Sequence, residues 1–139
     1  MMGYNMSQVS CSDFLLKKEK FSAALEAIKS LAKGGTIENS DGSRRYSWVD
    51  PSFATATTLE KAINAWNWDL DVDENGNGVA LNFNASKLGD DSILLGALAP
   101  FVESGEIEMA GEERSHWKWV FKDGKVHEFT GQVVYEAMP

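Results

Sequence analysis

Apolar residues recur along this chain with two periods, and the changes of period divide it into elements. Phe14, Phe21, Leu25, Ile28 and Leu31 follow one another at helical spacings, with Ala24 and Ala32 on the same side and Lys17, Lys18, Glu19, Glu26 and Lys29 opposite. That spacing predicts a helix over 13–33, closed by Gly34 and Gly35. The polar start, 1–12, reads as a flexible tail. Asn39 to Ser43 has turn composition, and Arg44 to Val49 reads as a short strand stopped by Asp50-Pro51. A second helix opens on a capping box, Thr57 with Glu60, and presents Leu59, Ala62, Ile63 and Trp66 as its apolar face.

The period then drops to two. Trp68, Leu70 and Val72 alternate with Asp69, Asp71 and Asp73, the glycines of Asn75 to Gly78 allow a tight connection, and Val79, Leu81 and Phe83 return. A third helix starts near Asp90 or Asp91, presents Ile93, Leu94, Ala97, Leu98 and Phe101, and is stopped by Pro100. Ile107 and Met109 alternate with Glu106 and Glu108 on a further strand. The last hairpin turns at Asp123-Gly124, a type I′ signal, which pairs Lys122 with Lys125 and Val120 with His127. Trp117, Trp119, Phe121 and Val126 then face the core, and His116, Lys118, Lys122, Lys125 and His127 face away. The predicted class is α+β: an antiparallel sheet of about five strands, two hairpins plus one, with about three helices on one face. One domain covers 13–139.

Composition changes this picture in one respect. The chain has 139 residues, with 13 Lys and Arg against 21 Asp and Glu, a net charge of −8. Phosphate backbones and anionic membranes are poor partners for such a surface. No apolar run reaches the ~20 residues of a membrane span, and no secretory signal opens the chain, so a cytoplasmic location is expected. The single cysteine, Cys11, excludes an internal disulfide.

Candidate chemistry is sparse. Asp71-Val72-Asp73-Glu74-Asn75-Gly76-Asn77 matches the start of a calcium loop, but its twelfth position is Asn82, its eighth is Gly78, and its flanks are strands, so a hairpin turn is expected. His116 and His127 fall on one face about 13 Å apart, too far to share a zinc ion. No phosphate-binding loop or nucleophile motif is present. The expectation is therefore no metal, no cofactor and no catalytic residue. The tryptophans, Trp48, Trp66, Trp68, Trp117 and Trp119, fill a core for the most part. Trp66 and Trp68 compete for the interior, which makes Trp66 a candidate exposed anchor.

Charge layout is the remaining signal. Asp69, Asp71 and Asp73 should form a row at ~6.8 Å intervals, Glu106 and Glu108 repeat that spacing, and Glu112 and Glu113 extend it. His116, Lys118, Lys122, Lys125 and His127 form a separate basic patch. Segregated charge of this kind suits docking by electrostatic complementarity.

Lys87 to Asp91 (KLGDD), Ala99 to Val102 (APFV), Ile107 to Met109 and Trp117 to Lys125 (WKWVFKDGK) resemble a group of small acidic bacterial proteins, often from phage or other mobile elements. The resemblance covers roughly 57–128. It implies an accessory protein of a mobile element and carries over no activity and no site residue. The leading expectation is a non-enzymatic binding or inhibitor module. It would dock on a basic surface of a host defence, toxin or nucleic-acid enzyme without binding nucleic acid or membrane itself. A small hydrolase or ligand-binding domain using His116 or His127 with nearby carboxylates is the second reading. A homo-oligomeric structural protein is the third.

Overall fold

A computed structural model describes residues 3–132. Its elements, in order, are β1 (Met6–Leu15), α1 (Phe21–Ser30), β2 (Ile37–Glu38), β3 (Arg44–Arg45), α2 (Leu59–Ala65), β4 (Trp68–Val72), β5 (Gly78–Phe83), α3 (Asp91–Leu98), β6 (Ser104–Gly111), β7 (Ser115–Lys122) and β8 (Lys125–Gln132). The class is α+β. A four-stranded antiparallel sheet has the order β1-β6-β7-β8, and two two-stranded sheets, β2-β3 and β4-β5, accompany it.

The last hairpin has the register its sequence dictates, with Lys122 opposite Lys125 and Val120 opposite His127. Asp123 and Gly124 both take positive φ, as a type I′ turn requires. Trp119 and Phe121 are buried, and Trp117 and Val126 pack against the core.

The N-terminal segment departs from the expected pattern. Residues 6–12, read as tail, are part of β1, and the helix begins at Phe21 rather than at 13. Phe14 belongs to the strand, where it packs edge-on against Phe121 at 5.7 Å. Bulges after Gln8 and after Ser12 interrupt the pairing of β1 with β6. Each bulge flips the side-chain alternation, so no period of two survives in the sequence for the eye to find.

Those bulges shape how β1 meets β5. At one end Leu16 and Gly78 exchange backbone hydrogen bonds of 2.8 and 2.7 Å. Farther along, the Gln8 side chain replaces the ladder: its Nε2 donates to the Leu81 carbonyl at 2.8 Å, and the Phe83 amide donates to its Oε1 at 2.7 Å. The hairpin β4-β5 is thereby joined to the N-terminal segment by one backbone bridge and one side-chain amide, the latter satisfying a backbone donor and acceptor of β5.

The helices pack together, α1 against α2 and α3, while α2 meets β4 and α3 meets β8. The N-cap of α2 is Thr58, whose hydroxyl accepts from the Lys61 amide at 3.2 Å, one residue later than the capping box predicts. Trp66 and Trp68 are both buried, at 1% and 0% exposure. This corrects the expectation of an exposed Trp66. Trp66 ends α2, Asn67 takes a left-handed φ of 73°, and that single turn lets Trp68 open β4 facing the same interior. Trp66 packs with Tyr46 and Phe53 at ring distances of 4.9 and 5.3 Å, and Trp68 with Phe83 and Trp119 at 5.1 and 6.2 Å.

Candidate functional site around Trp48

Each predicted acid has its own destination. Asp69 accepts from the Asn64 side chain of α2 at 2.7 Å, and Asp71 accepts from Asn82 across the hairpin at 2.6 Å. Asp73 lies beyond the end of β4, in the turn, where its Oδ1 accepts from the amides of Asn75 and Asn77 at 2.9 and 3.0 Å. A bulge between Asp71 and Val72 breaks the alternation. The expected row of three is therefore two strand acids and one turn cap, and the calcium-loop match is a hairpin turn that folds its aspartate inward. Among the described residues no group of three or more His, Cys, Asp or Glu is placed to hold a metal ion.

Charge segregation also fails at the open sheet face. Glu106 and Glu108 of β6 lie beside β7, with Glu108 opposite Lys118 in the register. The Lys118 ammonium is 3.1 Å from the Glu106 carboxylate. Acid and base are thus interleaved on one half-wet surface, where such a pair is worth ~0–1 kcal/mol. Lys122, Lys125 and His127 are exposed around the same hairpin, and His116 is half-buried. Glu112 is engaged with the N-terminal segment, its carboxylate accepting from the Asn5 amide at 2.7 Å. Glu113 is exposed in the β6-β7 connection. The one buried acid among the described residues, Asp91, opens α3 and accepts from the Trp68 indole and the Gly89 amide, both at 2.8 Å.

The exposed tryptophan is Trp48, at 49%. Its φ of 63° is a left-handed conformation that L residues adopt at a cost of ~1–3 kcal/mol unless their surroundings enforce it. Here they do. The Ser47 amide donates to Asp90 Oδ2 at 2.7 Å, and that same oxygen accepts from the Thr36 hydroxyl at 2.5 Å. The Trp48 carbonyl accepts from the Asn67 side chain. The Asp50 amide donates to the Ala65 carbonyl at 2.9 Å, and the Asn84 amide ties the Asn67 carbonyl to β5 at 2.9 Å. A Cβ on Gly89 would collide with the Ser47 carbonyl, so glycine lets the clamp close there. The indole edge lies close to Gly3, which the Lys87 stem also approaches, and the ring is half exposed.

Three shallow depressions meet at Asn67, and two of them also border Trp48. One of about 560 Å³ runs between α2 and β4 and is lined by Asp50, Glu60, Lys61, Asn64, Asn67 and Asp69. Two of about 480 and 400 Å³ flank the Trp48 ring. The first is acidic, three carboxylates to one lysine. The Ser52 amide, capped by Asp50, holds the exposed Asp50 carboxyl below the ordinary carboxylate range, so that group is ionised at neutral pH. On the other flank Lys87 donates to Asn5 at 2.7 Å and Arg45 to Asn39 at 2.9 Å. The arrangement is a rigidly held, half-wet aromatic side chain beside a negatively charged groove.

Of the sequence candidates, only Asp69 belongs to this surface. Asp50, Glu60, Asn67 and Trp48 were missed. Their signal was faint: Asp50-Pro51 is a stop and Asn67 sits at a helix end, and nothing local says that tertiary hydrogen bonds would hold Trp48 outward. No protein family, curated protein or solved structure matches this chain.

Proposed function

We propose that the protein is a non-enzymatic binding module that docks a protein partner of basic surface, with Trp48 as its aromatic anchor and Asp50, Glu60 and Asp69 as its charged flank. The observation that carries this reading is Trp48 itself. An apolar ring half in water, on a strained backbone fixed by four separate hydrogen-bonded attachments, contributes little to the core and is pre-organised for contact. Pre-organisation lowers the entropy lost on binding, and central aromatic residues dominate interface energetics. The groove beside it supplies negative charge where a Lys or Arg of the partner would enter, which favours rapid association and the correct sign of partner. In the setting that the family resemblance implies, an accessory protein of a mobile element, the partner would be a host defence, toxin or nucleic-acid enzyme.

The test compares surfaces within one chain. Affinity capture from native lysate is run with the parent protein, Trp48→Ala, the pair Glu60→Lys with Asp69→Lys, and Glu108→Lys on the open sheet face. The proposal expects one set of captured proteins, eluted by salt, lost in the first two variants and kept in the third. Capture that survives Trp48→Ala and the double reversal, or that disappears only with Glu108→Lys, overturns it.

A further inference from the structure

The structure carries a second, chemically distinct depression, about 540 Å³ in volume, between the β7-β8 ladder and the start of α3. From its shape and lining we infer that it is a binding site for an organic cation, an alkylammonium or guanidinium group. Three rings form one wall. Trp117 stands 6.4 Å from Tyr4 and 6.1 Å, edge-on, from Trp119. Gly111 permits this closeness, since a Cβ there would collide with the Tyr4 hydroxyl. Trp119 is buried and fixed, its indole donating to Glu128 Oε1 at 2.8 Å. That bond holds the Glu128 carboxylate at the cleft.

Glu113 supplies a second carboxylate on the rim. It and Arg114 both take left-handed φ, 56° and 65°, and the connection is pinned by the Tyr4 hydroxyl and the Asn5 amide to Glu112. Consecutive non-glycine residues in that region are the kind of stored strain that clusters at binding sites. Arg114 on the same rim already has an interaction of its own. His116 also lines the cleft, and the attraction for a cation comes from the aromatic faces and the two acceptor-only carboxylates. The field of a chain of net charge −8 acts in the same sense.

The experiment follows the tryptophan indole N–H signals of the full chain by NMR during titration with choline, with methylguanidinium and with dimethylbutanol, the neutral carbon isostere of choline. Saturable shifts of the Trp117 and Trp119 signals are expected with the two cations, with Trp66 and Trp68 unmoved. The neutral isostere should bind at least about tenfold more weakly, the scale of a desolvated cation–π contact. Glu128→Gln keeps an oxygen to accept from Trp119 but removes the carboxylate charge, and should weaken choline by about tenfold through the lost Coulombic attraction. Trp117→Leu is the second variant, and Trp48→Ala should leave the titration unchanged. Shifts that never saturate, an equal response to the neutral isostere, or full affinity in both Glu128→Gln and Trp117→Leu overturn the inference.

Discussion

Trp48 and Trp68 stand twenty positions apart and are served by neighbouring aspartates, yet they do opposite things. Trp68 is fully buried and donates its indole N–H to Asp91. Trp48 is half in water, and Asp90 holds not its ring but the backbone before it. One carboxylate completes a core, and the next one completes a surface. A buried acid is retained because it satisfies an indole that water cannot reach and a half-buried amide beside it. A surface acid is placed so that an unfavourable backbone becomes the stable one. Burial alone would have singled out Asp91 and Trp68 as important. The feature that separates structure from recognition is what the hydrogen bonds are spent on.

The largest expected difference lies on the buried side. Asp91→Ala strands the Trp68 indole N–H and the Gly89 amide, and each unsatisfied donor costs ~1–3 kcal/mol. A loss of about 3 kcal/mol is expected, read as a lower urea midpoint with an unchanged m-value. Asp90→Ala frees the Ser47 amide and the Thr36 hydroxyl at the surface, where water replaces the carboxylate. About 1 kcal/mol is expected there, together with faster hydrogen exchange at Ser47 and a larger-amplitude Trp48 indole. Equal losses from the two variants would erase the distinction.

Acidity sharpens the same comparison. Burial raises the Asp91 carboxyl above its ordinary range, although the Trp68 and Gly89 bonds pull the other way. A raised folded-state pKa means that the folded protein holds this proton more tightly than the unfolded chain. The stability linked to it is complete below the ordinary carboxylate pKa and is lost as pH rises through the folded value. Asp41 and Asp50, lowered by their bonds to Ser43 and Ser52, act in the opposite sense and lose their contribution as pH falls. Subtracting the urea stability of Asp91→Asn from that of the parent across mildly acidic pH should isolate the Asp91 slope. The difference should favour the parent most at the acid end. A flat difference would mean that Asp91 titrates normally in spite of its burial.

How much of this was written in the sequence depends on how local each feature is. The β7-β8 hairpin is set by two turn residues and an unbroken alternation, so its register could be read to the residue. Helix α3 and the Trp68 strand were legible for the same reason. Strand β1 was not, because bulges scramble its pattern and its partner β6 begins nearly ninety residues away. The candidate site fared worse. The position of Trp48 outside the core depends on Asp90, Asn67 and Ala65, none adjacent in sequence, and Trp66 looked the better anchor because the left-handed turn at Asn67 leaves no pattern. The acidic row fell because one bulge, between Asp71 and Val72, breaks the alternation.

The smallest expected effect on stability is the most discriminating. Trp48→Gly removes the indole and, at φ 63°, also removes the left-handed penalty. The relief is offset by the lost packing of the ring beside Gly3 and by the freer unfolded chain. Folding stability should therefore stay within about 0.5 kcal/mol of the parent, while salt-dependent capture of a partner disappears. The same substitution at Trp68 would open a core cavity and cost about 4 kcal/mol. If Trp48→Gly instead lost several kcal/mol, the ring would be holding the fold, and the strained loop would be structural after all. If it kept both stability and capture, the strain would serve some purpose other than display, and the groove beside Asp69 would have to recognise its partner alone.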